Sequence, residues 1–163
     1  MARKTGKIRM KRLLVFFILL FASRLVADIV DIKADHFYAN DIQHQAFFEG
    51  NAKIKQGGNE FNASKVTVFF NEQKKALKYE AHGAVKFDLT ENNIHYKGKA
   101  ESVTYAPTSS KYYFKGNVTL IDLTNNRTIK AETVSLDLKT GLADIKGKDK
   151  KPVHFIFEIE DRR

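Results

Sequence analysis

The sequence predicts an all-β domain built from about four strand–turn–strand units. Apolar and polar residues alternate with period two along most of the chain beyond residue 28, the pattern of strands buried on one face. No stretch of that region carries a convincing helical period. Two short words recur about every 33 residues, and a fixed period of about 20–50 residues marks a repeat architecture.

The chain begins with "MARKTGKIRMKR", which holds six basic residues and no acid, followed by the apolar run "LLVFFILLFAS" at 13–23 and then "RLVA". A charged segment, a short apolar stretch and small residues before a cut describe a secretory signal peptide. The expected division is residues 1–27 as signal peptide, cut after Ala27, and 28–163 as one β domain. Met10 is an alternative start. The rival reading is a retained membrane anchor, although a spanning helix needs about 20 apolar residues and Arg24 interrupts this run. Seven of the 28 Lys and Arg lie before residue 28 and none of the 19 Asp and Glu do. That leaves 21 basic against 19 acidic residues, a net of +2, so the +9 of the whole chain belongs mostly to the leader. The high pI is therefore no argument for nucleic-acid binding. The chain has no cysteine, which excludes disulfides, a Cys nucleophile and Cys-ligated zinc.

The strands are legible in order. "VKFDL" places Val85, Phe87 and Leu89 on one face, "VTLID" places Val118 and Leu120, and "VSLDL" places Val134, Leu136 and Leu138. "VHFIFEI" places Val153, Phe155, Phe157 and Ile159 together, with Ile156 on the far side, and Phe155 is expected in the core. Turn-forming clusters separate the runs: "QGGNE" at 56–60, "NEQKK" at 71–75, "TENN" at 90–93, "PTSSK" at 107–111, "TNNRT" at 124–128 and "KTG" at 139–141.

One repeated word centres on glycine. Gly50, Gly83, Gly116 and Gly147 stand 33, 33 and 31 residues apart in "FEGNAKI", "AHGAVKF", "FKGNVTL" and "IKGKDK". The other starts with alanine: "ASKVTV" from Ala63, "AESVTY" from Ala100, "AETVSL" from Ala131 and a fainter "ADHFYA" from Ala34. Glycine permits a positive φ or a bulge, here expected where each strand begins, and alanine permits close approach where the chain bends.

Chemistry is sparse. His36, His44, His82, His95 and His154 are scattered without metal-ligand spacing, and no phosphate loop or nucleophile motif is present. No catalytic residue, metal or cofactor is expected. "EFNAS" matches an acidic N-glycosylation sequon at Asn62 but falls at the start of a strand. What remains is the apolar face, which reads equally as a packed core or as the lining of a slot between sheets.

The export signal followed by "EGNAKI", "KGNVTL", "NASKVTV", "KAESVTY" and "KAETVSL" in this order resembles the OstA/LptA family of periplasmic lipopolysaccharide-transport proteins, over about Val30 to Ile159. The sequence departs from the family pattern at Ala81-His82-Gly83 and in the degenerate last word. The resemblance implies an incomplete, V-shaped β-jellyroll of two antiparallel sheets. It implies a carrier that holds lipid A acyl chains in an apolar groove and bridges inner- and outer-membrane components. Partners would be LptC-like and LptD-like jellyroll domains, with head-to-tail self-association. Matching the words places Val30, Ile32, Ile54, Val66, Val68, Val85, Phe87, Tyr96, Val103, Tyr105, Val118, Leu120, Val134 and Leu136 in the groove, with Lys53, Lys86 and Thr119 outside. Ile29, Asp31 and Lys33 on the first strand, and Val153, Phe155 and Phe157 on the last, would form the assembly edges. Covering acyl chains is a large task, since each methylene kept from water is worth about 0.8 kcal/mol. The alternatives are an LptC-like subunit anchored in the inner membrane, a periplasmic β-scaffold with a closed dry core, and an adhesin-like β-solenoid.

Overall fold

The structure, a computed structural model, describes residues 29–160. The expected signal peptide and its cut after Ala27 lie outside the described residues. Ten strands follow one another: β1 (Val30–Lys33), β2 (His36–Asn40), β3 (Gln45–Gln56), β4 (Asn59–Phe70), β5 (Ala76–Glu91), β6 (Ile94–Ala106), β7 (Lys111–Asp122), β8 (Arg127–Asp137), β9 (Ala143–Lys146) and β10 (His154–Phe157). All pair antiparallel, in the order β1-β3-β4-β5-β6-β7-β8-β10, with β2 continuing β1 along β3 and β9 joining β8. The sheet does not close. β1 and β2 share β3 as their neighbour, and β9 and β10 share β8. The six turn clusters read from the sequence fall between successive strands from β3 to β9.

The glycine word has a different place from the one expected. Gly50, Gly83 and Gly116 sit in the middle of β3, β5 and β7, not at their starts. Each has φ between 81° and 84°, and the next residue, Asn51, Ala84 or Asn117, is also left-handed at 45–46°. The register jumps there, between Glu49 and Ala52, His82 and Val85, and Lys115 and Val118. Two left-handed residues in a row make a bulge that bends the strand, so each long strand serves two sheets. Gly147 is the exception. It lies beyond β9 outside the left-handed set, where a Cβ would meet the Lys151 carbonyl oxygen at 2.6 Å.

The alanine word completes the bend. Its second residue lies over the glycine of the next word. Ser64 Oγ donates to the Gly83 carbonyl at 3.2 Å. Asp35 and Glu101 cover Gly50 and Gly116 and accept hydrogen bonds from Asn51 Nδ2 and Asn117 Nδ2, at 2.8 and 2.9 Å. A side chain on the glycine would occupy the same space. The two words are thus halves of one elbow, which explains why they keep step.

The elbows fold the meander into two arms. The first arm holds β1, the C-terminal halves of β3, β5 and β7, the N-terminal halves of β4, β6 and β8, and β10. The second holds β2, the complementary halves, and β9. The core lies between the arms, where Val66, Val85, Phe114, Leu89 and Val134 are fully excluded from solvent.

Candidate functional site: the apolar interior between two arms

Strand alternation aims one apolar row from each arm at the other. On the first arm Ile32, Ile54, Phe61, Phe87, Gly98, Leu120 and Ile129 stand opposite one another across successive strands. On the second, Val68, Tyr79, Tyr105, Tyr112 and Leu136 do the same. Aromatic rings join the arms: Phe87 meets Phe114 at 4.8 Å between centroids and Phe61 stacks on Tyr112 at 6.1 Å. Aromatic pairs at such separations add about 0.5–1.5 kcal/mol beyond their buried area.

All fourteen residues assigned to a groove lie in this apolar cluster. Ile54, Val66, Val68, Val85, Phe87, Val103, Val118, Leu120 and Val134 are buried, and Val30, Ile32, Tyr96, Tyr105 and Leu136 are half-buried against them. The space left between the arms is small. A cavity of about 30 Å³, lined by Val30, Ile54, Phe61, Tyr79, Tyr105 and Tyr112 among others, has room for about one water. Lipid-sized ligands occupy pockets of roughly 300 Å³ or more. The arms are therefore together.

A polar latch closes their outer ends. Tyr112 of the second arm donates its hydroxyl to Glu91 Oε1 of the first at 3.1 Å, and Asn59 Nδ2 donates to the same oxygen at 2.9 Å. Asn92 Nδ2, in the turn after β5, donates to the Leu138 carbonyl oxygen at 3.1 Å. Burial pushes the Tyr112 hydroxyl well above the usual phenol range, and the neighbouring Glu91 carboxylate adds to the shift. The hydroxyl thus stays a donor at any physiological pH.

A second polar group closes the far end of β7. Asp122 is buried at the tip of the first arm and accepts from Asn125 N, Asn125 Nδ2 and Arg127 Nε, each at 2.9 Å, and from a further Arg127 nitrogen. Burial opposes its charge, but the Asn125 and Arg127 hydrogen bonds outweigh it and hold the carboxyl below its usual value. Asp122→Asn should cost about 1–3 kcal/mol at neutral pH. Because the folded-state pKa is depressed, this stabilisation is complete above the unfolded value of about 3.9 and fades as pH falls through the folded value. Melting temperatures of wild type and variant should differ by a constant gap at pH 5–8 and converge in stronger acid. A gap that stays open there would place the loss in packing instead of charge.

The two edges differ from one another. Asp31 and Lys33 point outward from β1, and Ile29 beside them is 81% exposed. On β10 the expected core position of Phe155 is not found. Phe155 pairs with Ile129 at the end of the first arm's apolar row, yet it is 45% exposed, and Val153, Ile156, Phe157 and Ile159 are exposed with it. Their alternation is that of a strand, but β10 has a neighbour on one side only and no layer above it. Asn62 lies within β4, not in a loop, and its amide donates to Glu60 Oε1 at 3.0 Å. Among the described residues no three His, Asp or Glu side chains are placed to hold a metal ion, and no helix is long and apolar enough to cross a membrane.

Several site features escaped the sequence reading. Tyr112 and Phe114 were visible only as alternating aromatics in "YYFKG". The Glu91–Asn59–Tyr112 latch joins residues far apart in sequence and had no signal. Gly98 stands outside both repeat words, so nothing in the sequence marks its contact with Phe87.

A family model described as LptA/(LptD N-terminal domain) LPS transport protein matches residues 31–142. The chain belongs to this family. It is a family of transport proteins, not of enzymes. Among solved structures, LptH, the LptA homologous periplasmic component of the lipopolysaccharide transport device of Pseudomonas aeruginosa, matches with a TM-score of 0.70 at 13% identity. The match covers 80% of this chain and 96% of that one. It establishes the fold as the open, jellyroll-like one that the family resemblance implies. A search of curated proteins gives no match.

Proposed function

We propose that this member of the LptA family is a periplasmic lipopolysaccharide carrier that takes lipid A acyl chains between its two arms and links inner- to outer-membrane components. The observation that carries this reading is the apolar interior, which runs across the whole meander and is left unsealed at both edges. A structural scaffold has no need of unpaired edges, which invite aggregation and are usually blunted. In the closed arrangement the acyl chains have no room, so loading separates the arms, and Phe61, Phe87, Tyr105 and Tyr112 exchange ring contacts for methylene contacts. The step uses no catalytic residue and no bound nucleotide.

A photo-crosslinking amino acid at Phe61 or Phe87, in cells making lipopolysaccharide, should give lipid adducts. The same residue at Lys115, which faces solvent on the outer side of the second arm, should give none. Absence of adducts at both interior positions, in exported and folded protein, would leave a closed scaffold.

The edges supply the bridge. β1 offers its free side to a strand, and β10 offers a free side with Phe155 and Phe157 beside it, so copies pair head to tail without closing. LptC-like and LptD-like domains would use the same two edges at either membrane. Sedimentation of the exported protein should give a mass that rises with concentration. Deleting residues 154–159 should hold it at monomer. A mass independent of concentration in the wild type would remove self-association from the proposal.

A further inference from the structure

The outer surface of the first arm carries a row of basic and polar residues. Beside the elbows, residues directly opposite one another form the row Lys33, Lys53, Asn62, Lys86, Lys99, Thr119, Lys130 and His154, which contains no acid. Like charges directly opposite one another destabilise a sheet. The next row out on the same face carries both signs, and its lysines are paired: Lys55 with Glu60 at 3.7 Å, and Lys97 with Asp88 at 3.2 Å. The matching elbow row on the second arm includes Glu49, 2.8 Å from Lys65. Among the described residues, Lys86, Lys99 and Lys130 have no carboxylate partner, and only Lys53 of the row is bridged, by Glu60.

The row is also concave. The elbows leave a hollow of about 530 Å³ beside Lys86, flanked by Asn51, Asn62 and Ser64. A second hollow, of about 570 Å³, lies beside Lys99 and Lys130. The segment between β9 and β10 walls the second hollow with Lys148, Lys150 and Lys151, and β10 adds His154, with Glu132 the single acid in the lining. That segment is a built turn. Lys148 and Lys151 exchange backbone hydrogen bonds at 2.8–2.9 Å, Lys150 is left-handed with φ 64°, and Gly147 is needed because the turn packs onto it. It stands where the repeat predicts a fourth elbow.

We propose that this trough binds a phosphate-bearing oligosaccharide. Lysines separated by Asn, Ser and Thr offer charge to phosphates and hydrogen bonds to hydroxyls along one line. Eight strands at about 4.8 Å spacing make that line roughly 34 Å long, suited to several linked sugars. Neither hollow is lined by Phe, Tyr or Trp, which argues against single-stranded nucleic acid, whose bases stack chiefly on such rings. Neither hollow is lined by a large exposed apolar side chain, and their concavity argues against a flat anionic bilayer. The inference rests on the lipopolysaccharide reading for the source of the ligand, the sugar portion of the same molecule whose acyl chains enter the interior.

Fully deacylated, phosphorylated lipopolysaccharide core oligosaccharide is the probe, titrated into the exported protein at low salt. Binding should weaken with added salt. It should fall by about tenfold or more in Lys86→Gln/Lys99→Gln/Lys130→Gln and change little in Lys55→Gln/Lys97→Gln. The triple variant should melt no lower than wild type, since repulsion is relieved. In the wild type, bound oligosaccharide should protect Lys86, Lys99 and Lys130 from acetylation, read by mass spectrometry, independently of any variant's folding. Equal binding by the triple variant, equal binding of the phosphatase-treated oligosaccharide, or tighter binding to phosphatidylglycerol vesicles or to an oligonucleotide would overturn the proposal. Because the probe has no acyl chains, its failure leaves the interior reading standing. Absence of lipid adducts at Phe61 and Phe87 would remove that reading without touching the trough.

Discussion

Gly98→Val should destabilise the domain by about 3 kcal/mol or more, enough to remove much of the stability of a small domain. Gly98 points inward from β6 between Phe87 and Leu120 in the apolar row of the first arm. A Cβ there would fall on the Thr119 carbonyl oxygen and lie 2.7 Å from Phe87 Cζ. The ring could swing, but it would lose its place against Phe114. The carbonyl belongs to the neighbouring strand and cannot yield without opening the β6–β7 ladder. Both costs arise from one methyl-sized addition, and valine adds more. Gly58→Ala, at a turn glycine with open space around it, is the control and should stay within about 0.5 kcal/mol of wild type. Urea denaturation of the three proteins measures this, and equal midpoints for Gly98→Val and wild type would mean the interior is loosely packed.

The contrast between Gly98 and the elbow glycines shows what the sequence made legible. Gly50, Gly83 and Gly116 were visible because a repeat copies them, yet their role was read one step wrong. They bend strands in the middle, and this only becomes apparent once Asp35, Ser64 and Glu101 are seen lying over them. Period two identified the inward faces of β5, β7 and β8 because a sheet face either meets the core or does not. It failed at β10, where Phe155 and Phe157 keep the alternation of a buried strand but nothing covers them. Alternation reports which side a residue is on, whereas burial depends on what lies above it. The lysine row was invisible for a related reason. Its neighbouring members are 9–24 residues apart in sequence, and only the pairing register brings them into line. The near-neutral charge of the chain beyond residue 27 conceals it.

The same latch that stabilises the closed arms should oppose loading, and this gives the second large effect. Tyr112→Phe removes the hydroxyl that donates to Glu91 while leaving the ring to stack on Phe61 and Tyr105. A hydrogen bond to a charged acceptor is worth about 1.5–3 kcal/mol, part of which Glu91 recovers from Asn59 and from water. If the closed state loses about 1 kcal/mol relative to the open one, the open population rises about fivefold. Apparent affinity for an acylated ligand is limited by that population, so it should rise by the same factor while the melting temperature falls by several degrees. Stability and binding thus move in opposite directions, which a merely damaged protein would not do. Measuring lipid A binding and thermal unfolding on the same preparations separates the cases. Weaker binding together with lower stability would mean that Tyr112 supports the bound state, and that the arms do not need to part at this point for lipid to enter.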